Sequence, residues 1–397
     1  MPPMESLLVA IFWISFGLGV YVYLAYPVIL TILASMARPR KAAFHDDSEL
    51  PRVALLIACY NEEKEIGARL LNTLLLDYPR GRLSVFVLND GSKDRTIEEA
   101  RKVADARPEG YFQILDFTEN RGKCATLLRG VNWIKENRPD VEVLAFSDAN
   151  SEWQPDSLKK LVAPYADPTV GASSGRFVYV DPSGSPIGNM EGLYWKYEKY
   201  LKRLSSRLGS LPMADGAIFS IRLDAYEPLS ETRGDDFELP VQAIIKGYRS
   251  VAVEDAISKE PPSPSFLVEY RRKLRIIGHM IPSSVVLFAR ALRKGRMLLA
   301  FQLLSHKLLR YLVPFYQIAL LLSNGFLWNY SQFFRVTFVV QILFYLLAGA
   351  GFLLERNGRR PPKPLQIPFY FTMVNFASMV SIFRLAVGAP IRWERNR

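Results

Sequence analysis

The chain has 397 residues, of which 49% are hydrophobic, and a formal net charge of +11 at neutral pH. This length exceeds the usual limit for a single core, so two or more structural units are expected. The basic residues cluster beside apolar segments, which favours an anionic membrane surface as a partner and disfavours nucleic acid. The two cysteines, Cys59 and Cys124, lack metal-ligand spacing and indicate a reducing compartment.

Apolar residues concentrate at the two ends of the chain. Four long apolar runs are expected to contact a membrane: 6–35, 308–328, 333–354 and 365–389. The predicted units are an N-terminal anchor over 1–38, an α/β domain over 39–262, amphipathic interfacial helices over 263–307 and a C-terminal membrane region over 308–397. Arg38, Arg40 and Lys41 follow the first apolar run. By the positive-inside rule they predict that the α/β domain lies in the cytoplasm.

From residue 51 the chain alternates between apolar runs typical of buried strands and runs with helical spacing. Strands are predicted at 53–58, 85–88, 112–117 and 143–146, with helices opening at 61, 97 and 124. Four strands separated by helices imply a right-handed, doubly wound parallel sheet of nucleotide-binding type.

The fourth predicted strand delivers the sequence Ser147-Asp148-Ala149-Asn150 at its end. In open α/β sheets, ligands bind where such strands end. Asp148 offers a carboxylate and Asn150 an amide carbonyl, two hard oxygen ligands that suit Mg²⁺ or Mn²⁺ bridging a diphosphate. Asp and Asn are also common in ordinary turns, so this pair alone does not define a metal site.

Two further sequences suggest contacts with a nucleotide. Asp90 follows the second strand, where an acidic residue would pair with a nucleobase or ribose. Arg121-Gly122-Lys123 opens a helix and resembles an anion cradle, in which backbone N–H groups, the helix dipole and Lys123 converge on phosphate. The chain has no G-x-x-x-x-G-K-[ST] sequence, which disfavours a nucleoside-triphosphate hydrolase.

Two later sequences suggest contacts with a substrate. The small-residue turn from Ala214 to Ser220 allows a substrate to approach the backbone closely. Asp235 and Asp236 precede an apolar helix. They are either an acidic cap at the helix N-terminus or, near a metal and other carboxylates, candidates for a general base.

Six motifs in a fixed order resemble those of the family-2 inverting glycosyltransferases, which include cellulose, chitin and hyaluronan synthases. They are ACYNEE (58–63), NDGSKDRT (89–96), NRGKCATL (120–127), FSDAN (146–150), ADGAIFSIR (214–222) and GDDFELP (234–240). The ordered set is far more specific than any single motif. The resemblance covers roughly residues 51–310 and implies a glycosyltransferase A fold, a nucleotide-sugar donor, with UDP expected, and a divalent metal.

The resemblance also implies roles for individual residues. The donor-binding set would be Ala58, Tyr60, Glu62, Asp90, Lys123, Asp148, Arg272 and Arg275, with Asp90 contacting the uridine. Asp148 and Asn150 would hold Mg²⁺ or Mn²⁺ on the donor diphosphate. The acceptor would contact Asp215, Gly216 and Ala217. Asp236 would be the base, at the second acidic position of a motif written T-E-D in relatives. Because this chain has Gly234-Asp235-Asp236 there, Asp235 stays open as an alternative catalytic residue.

A second motif also departs from the family pattern. Where polymer synthases carry Q-x-x-R-W, this chain has the sequence YRRKLRI over 270–276, without the acceptor-stacking Trp. This absence argues against processive synthesis. Arg272 and Arg275 have the helical spacing to neutralise a pyrophosphate. The alternative is a basic interfacial helix that contacts anionic lipid.

These residues predict a membrane-bound hexosyl- or N-acetylhexosaminyltransferase of the inner membrane that acts in exopolysaccharide or envelope polysaccharide synthesis. The expected partners are a nucleotide-sugar donor, a glycan or lipid-linked acceptor, the lipid bilayer and export or assembly proteins. The first alternative is single-sugar transfer to a lipid carrier. The second, of a different class, is a catalytically silent nucleotide-sugar sensor or scaffold in an export complex.

Overall fold

A computed structural model describes residues 3–38, 43–107, 110–180, 186–231, 233–260, 266–359 and 361–388. Arg40 and Lys41, which contribute to the orientation predicted by the positive-inside rule, lie outside these ranges. The described chain forms an α/β domain flanked by long apolar helices. This arrangement agrees with the predicted fold class.

One eight-stranded sheet organises the α/β domain, with the strand order β3-β2-β1-β4-β7-β6-β8-β5. Its strands are β1 Val53–Cys59, β2 Leu83–Asp90, β3 Phe112–Phe117, β4 Val143–Asp148, β5 Glu152–Trp153, β6 Val170–Tyr179, β7 Phe219–Arg222 and β8 Arg249–Glu260. The first four strands pair in parallel, as predicted. The other half is mixed, since β7 pairs antiparallel with both β4 and β6, and β6 pairs in parallel with β8. The parallel prediction therefore describes only one half of the sheet.

The parallel half is buried on both faces, which explains its continuous apolar strands. Along β1, Leu55 and Ile57 point to one core, and Ala54 and Leu56 point to the other. All four side chains are fully buried. Because successive side chains of a strand point to opposite faces, helices must cover both sides of this sheet.

Helices connect the strands and extend beyond them. In the α/β domain they are α3 Ile66–Thr73, α4 Thr96–Ala104, α5 Lys123–Asn137, α6 Ser157–Val162, α7 Pro186–Arg207 and α8 Asp235–Lys246. The flanking helices are α1 Pro3–Val20, α2 Tyr26–Met36, α9 Phe266–Arg293, α10 Met297–Gln302, α11 Leu309–Tyr311, α12 Val313–Phe326, α13 Gln332–Arg356 and α14 Lys363–Ala386. Two π-helical turns, Tyr21–Ala25 and Leu303–Leu308, interrupt this set, the first between α1 and α2 and the second between α10 and α11.

Among the described residues, four helices are long and apolar enough to cross a membrane: Met4–Met36, Phe266–Arg293, Gln332–Arg356 and Lys363–Ala386. The helix Phe266–Arg293 falls in the region for which interfacial helices were predicted. Within the run 308–328, predicted as a span, the helix breaks at Leu312, and the α12 that follows has 14 residues. Pro314 stands in the first turn of α12, where its missing N–H is tolerated.

Candidate active site

The carboxyl edge of the parallel strands gathers the predicted donor residues. In the sheet register, Ala58 of β1 lies opposite Asp148 of β4 on one side and opposite Leu88 of β2 on the other. Asp90 ends β2, two residues beyond Leu88. The sequence motifs that end separate strands are therefore neighbours in space, as the doubly wound topology requires.

Lys123 connects two of the predicted motifs. Its ammonium group donates a hydrogen bond to Asp148 Oδ1 at 2.8 Å and forms an ion pair with Asp235 Oδ2 at 3.2 Å. Burial alone would lower the pKa of Lys123, but the charges of Asp148 and Asp235 hold it well above its usual value. Because one ammonium contacts both carboxylates, the predicted metal loop and the predicted base motif lie in the same site.

Asp236 lies beside this ion-pair cluster. Burial, reinforced by the charge of Asp235, raises the pKa of Asp236 to about 6, and Lys123 opposes that rise. The peptide N–H of Ala214 donates to the Asp236 carbonyl oxygen at 2.8 Å. A Cβ atom placed on Gly216 would lie 3.5 Å from Asp236 Oδ2. The turn predicted to contact the acceptor is therefore packed against the carboxylate predicted to act as base.

The same turn is held in place by polar contacts. Asp215 is 9% exposed and forms an ion pair with Lys202 of α7. Its peptide N–H donates to Ser174 Oγ at 2.9 Å. The carbonyl oxygen of Ala217 accepts a hydrogen bond from the Trp153 indole at 2.9 Å. These contacts fix the predicted acceptor residues between α7 and the sheet.

Asp148 and Asn150 fit a metal ion that is completed by its substrate. Asp148 Oδ1 accepts from Lys123, and the side chain is 38% exposed, so its second oxygen is available to an ion. Within the described ranges no three His, Cys, Asp or Glu side chains form a metal-binding group. Mg²⁺ is commonly bound through one or two carboxylates together with substrate phosphates and water. A carboxylate followed two residues later by an amide oxygen meets that requirement.

Asp90 has a more enclosed environment. Its Oδ1 accepts hydrogen bonds from the Arg121 N–H at 2.9 Å and from Thr126 Oγ1 at 2.6 Å, and its Oδ2 accepts from the Gly122 N–H at 2.8 Å. The N–H groups of the predicted anion cradle therefore bind the protein's own carboxylate. Since a carboxylate has about four lone-pair positions, one remains on Oδ2. The contact of Asp90 with uridine stays a prediction, and the remaining position on Oδ2 would allow it.

The two arginines of α9 both approach the site. Arg272 donates to the Tyr179 hydroxyl at 3.1 Å and lies 3.6 Å from Glu269. Arg275 interacts electrostatically with Asp148 and Asp236. Their proximity to the carboxylate cluster favours the predicted role at the pyrophosphate. Arg271, by contrast, is exposed.

The remaining predicted donor residues lie at the same edge. Tyr60 and Glu62 are half-buried just beyond β1. The Glu62 N–H donates to Thr96 Oγ1 at 2.7 Å, which fixes this loop against the start of α4. Both residues thus follow the strand that pairs with β4.

Sequence reasoning missed Glu260, the last residue of β8. It accepts a hydrogen bond from Ser151 Oγ at 2.9 Å. Burial, together with the charge of Asp148, raises the pKa of Glu260 to about 7. No local motif marks this residue, because its neighbours in the site come from a part of the chain more than 100 residues away.

Sequence reasoning also missed Arg69, which contacts the loop predicted to hold the metal. Arg69 of α3 is 2% exposed, and it donates to Ser147 Oγ at 3.1 Å and to Asn72 Oδ1 at 2.6 Å. Its guanidinium carbon lies 5.1 Å from the centre of the Trp153 ring. Asn72 Oδ1 also accepts from the Trp153 N–H at 2.9 Å. Arg69 therefore contacts both ends of the segment that carries Asp148 and Asn150.

Two family models match the chain. The model described as "Glycosyl transferase family 2" matches residues 54–229, and the one described as "Glycosyl transferase family group 2" matches residues 144–377. Together they cover the sheet, the ion-pair cluster and the helices that follow. The chain belongs to glycosyltransferase family 2.

Two curated relatives show the similarity in particular proteins. An N-acetylglucosaminyltransferase of Rhizobium leguminosarum bv. viciae is 25% identical over 58% of this chain and 56% of its own. The poly-beta-1,6-N-acetyl-D-glucosamine synthase of Staphylococcus aureus (strain COL) is 30% identical over 51% of this chain and 48% of its own. The chain thus matches about half the length of each relative.

A solved structure resembles the whole chain. The mannosyltransferase PcManGT from Pyrobaculum calidifontis, in complex with GDP-Man and Mn²⁺, superposes with a TM-score of 0.71 over 97% of this chain and 99% of its own. The two sequences are 21% identical. The likeness is one of fold, and it covers both the glycosyltransferase A domain and the apolar helices.

Proposed function

We propose that this protein transfers a hexose or N-acetylhexosamine, with inversion, from a nucleotide sugar to a glycan acceptor at the cytoplasmic face of an inner membrane. The observation that carries the proposal is the contact of Lys123 with both Asp148 and Asp235. It joins a loop that would hold the donor diphosphate to a motif that would activate the acceptor. The glycan product would belong to an exopolysaccharide or the cell envelope, with export proteins as further partners.

The chemistry is a single displacement at the anomeric carbon. Asp236 takes the proton of an acceptor hydroxyl, whose oxygen forms the new bond as the bond to the nucleoside diphosphate breaks. Its raised pKa of about 6 suits a base that works near neutral pH. Asp148 and Asn150 would hold Mg²⁺ or Mn²⁺, which stabilises the charge of the departing diphosphate when bound. Lys123, Arg272 and Arg275 supply further positive charge at the same edge.

The related proteins support the substrate class. Two relatives are named for N-acetylglucosamine, and PcManGT binds GDP-Man with Mn²⁺. All three names contain a sugar, which is not the same in each, and GDP-Man is a nucleotide-activated sugar. UDP-N-acetylglucosamine is therefore the first donor to test, with UDP-glucose and GDP-mannose as comparisons.

The test is release of nucleoside diphosphate by the purified full-length protein, measured for each donor with and without Mn²⁺ or Mg²⁺. We expect release with one donor, dependence on added acceptor, and loss of release after chelation of the metal. The Asp148→Ala variant provides the matched control. If the wild-type protein binds nucleotide sugar but releases no diphosphate with any acceptor, the sensor or scaffold alternative replaces this proposal.

One observation favours the alternative of single-sugar transfer to a lipid carrier. The sequence over 270–276 lacks the Trp on which a polymer synthase stacks its acceptor. The length of products made from labelled donor separates the two functions. Single additions to an extracted lipid support the carrier, and a ladder of glycans supports polymer synthesis.

A further inference from the structure

The junction between the catalytic domain and the first apolar helix contains a second cluster of buried ionisable groups. Its members lie on α7 and on the segment 303–311: Glu198, His306, Lys307 and Arg310. The carboxylate of Glu198 forms an ion pair with Arg310 at 2.5 Å, and His306 Nε2 lies 3.5 Å from the same carboxylate. Burial lowers the pKa of His306 to about 4, so this imidazole is neutral at physiological pH. Arg310 is therefore the cation that balances Glu198.

Lys307 is the member of this cluster without a carboxylate of its own. It is 8% exposed, and its ammonium nitrogen lies 3.2 Å from the sulfur of Met213, a weak hydrogen-bond acceptor. The Phe237 ring centre lies 5.6 Å away. In the part of the chain that the structure describes, no Asp or Glu is within ion-pairing distance of Lys307; Glu198 and Asp236 attract it from farther away. A buried ammonium is costly unless an anion pairs with it.

The position of Lys307 relates it to the acceptor side of the site. Met213 directly precedes the turn formed by 214–217, and Phe237 directly follows Asp236. The ammonium therefore lies next to both the turn and the base motif. It does not contact Asp148, whose cation is Lys123.

The opposite side of the Lys307 segment faces the anchor helix. Ser305 hydrogen-bonds to the Tyr21 hydroxyl at 2.7 Å, and the His306 ring stacks on Tyr26 with centroids 5.7 Å apart. Tyr21 and Ser305 each belong to a π-helical turn. Such turns are rare and frequently mark functional sites. Lys307 thus lies between the predicted base and a candidate membrane-spanning helix.

We infer that Lys307 binds a phosphate group on a membrane lipid that carries the acceptor glycan. This inference rests on the proposed function and specifies its acceptor. The phosphate would supply the counter-ion that the described side chains do not provide. It would also hold the glycan's acceptor hydroxyl beside Asp236 while the hydrocarbon part of the lipid stays along the apolar helices. A neutral glycan that diffuses from the cytoplasm would gain nothing from this ammonium.

The test compares binding of undecaprenyl phosphate and of undecaprenol to the full-length protein in nanodiscs of zwitterionic lipid. We expect the phosphate form to bind at least about tenfold more tightly, the factor that one charge-assisted hydrogen bond supplies. Lys307→Met should remove this preference, and Lys307→Arg should keep most of it. The matched control is Lys294→Met, which removes an exposed lysine from the loop between α9 and α10. Binding of UDP should be the same in all four proteins, which verifies the fold.

Three outcomes would overturn the inference. The first is an unchanged preference for the phosphate form in Lys307→Met. The second is an equal loss in Lys294→Met, which indicates general attraction to an anionic lipid. The third is displacement of the lipid by inorganic phosphate at equal concentration, which assigns the site to free phosphate. Because none of these measurements needs turnover, failure of the glycosyltransferase proposal would be recognised separately by the absence of diphosphate release.

Discussion

Two carboxylate sites at the same edge of the sheet are built in opposite ways. At the end of β2, Asp90 is 1% exposed and accepts three hydrogen bonds, two of them from backbone N–H groups. At the end of β4, Asp148 and Asp235 share the single ammonium of Lys123. Backbone donors cannot move without unfolding the loop, whereas a lysine side chain changes rotamer easily.

This difference distinguishes Asp90, whose carboxylate is fixed by hydrogen bonds, from Asp148 and Asp236, whose carboxylates are available to an ion or a proton. Asp90 ties the start of α5 to β2, and most of its lone pairs are occupied. Asp148 keeps one oxygen for an ion, and burial beside Asp235 raises the pKa of Asp236. A perturbed pKa in a cluster of charged groups is typical of functional sites. The type of hydrogen-bond donor that a carboxylate has therefore indicates whether it can bind a ligand better than its position at the end of a strand does.

The largest effect on activity is expected at Asp148. Asp148→Ala should lower the rate of sugar transfer by at least about 10³-fold, because a metal supplies several kcal/mol of charge stabilisation and each 1.36 kcal/mol is a factor of ten. Steady-state assays and Mn²⁺-dependent donor binding measure the two losses. Retained turnover in the purified variant would contradict the assignment of Asp148.

A second substitution separates the base from its neighbour. Asp236→Asn should keep donor binding and lower transfer by about 10² to 10⁴-fold, the usual contribution of a general base. Asp235→Asn keeps the predicted base but removes the ion pair with Lys123 and one cause of the raised pKa of Asp236, so a smaller loss is expected. The sugar-transfer rates and donor affinities of both variants test which aspartate is the base. An equal loss in Asp235→Asn would divide the role between the two residues.

The pH profile provides an independent measurement of the base. Because Asp236 acts only when ionised, kcat/KM should fall about tenfold per pH unit below a pKa of about 6. Glu260, whose pKa is about 7 and whose charge interacts with that of Asp148, should produce a second inflection. Glu260→Gln should remove that inflection and leave the lower one. A profile that stays flat from pH 7 down to pH 5 would exclude Asp236 as the base.

A smaller effect is expected at Arg69. Arg69→Met should weaken Mn²⁺ binding in the presence of UDP by about 10- to 100-fold, the range found for residues that orient metal ligands. Arg69→Lys keeps the charge but loses the planar fork that contacts Ser147 and Asn72, so comparing the two separates charge from position. Calorimetry without turnover measures the affinity, and the thermal midpoint controls for misfolding. An unchanged or tighter Mn²⁺ affinity in Arg69→Met would contradict a positioning role.

The smallest effect on activity is expected from changes to the hydrogen bonds of Asp90. Thr126→Val removes one of the two donors to Asp90 Oδ1 and should lower the free energy of unfolding by about 1.5–3 kcal/mol, the usual contribution of a hydrogen bond to a charged group. UDP affinity should stay the same, since the remaining Oδ2 lone pair is untouched. Asp90→Ala should lower both stability and UDP affinity if the predicted uridine contact is correct. Thermal unfolding and UDP titration of the two variants test this difference.

The parallel half of the fold could be predicted from the sequence, and the mixed half could not. Strands β1 to β4 are continuous apolar runs because both faces are buried, and such runs are visible without any knowledge of partners. Strands β6 and β8 contain many half-buried residues, and their pairing joins segments some 80 residues apart. The order of strands beyond β4 therefore depended on contacts that no local pattern encodes.

The candidate site divides in the same way. Asp148, Asp235 and Asp236 stand in recognisable motifs, so their presence at the site could be expected. The pairing of Lys123 with Asp148 and Asp235 could not be expected, because a lysine at the start of a helix can bind a phosphate or a carboxylate equally well. Arg69, Glu260 and Lys307 were missed because a lone charged residue within a helix or strand normally faces solvent. Only the folded structure shows that these three side chains lie beside the site rather than in solvent.

The N-terminal apolar helix is longer than a hydrocarbon core is thick. The 33 residues Met4–Met36, including the π-helical turn, extend about 50 Å at 1.5 Å per residue, whereas a hydrocarbon core is about 30 Å thick. In its C-terminal half, Tyr26 and Leu30 pack against Leu201 of α7. The α/β domain is therefore joined to this helix by side-chain packing as well as by the chain itself.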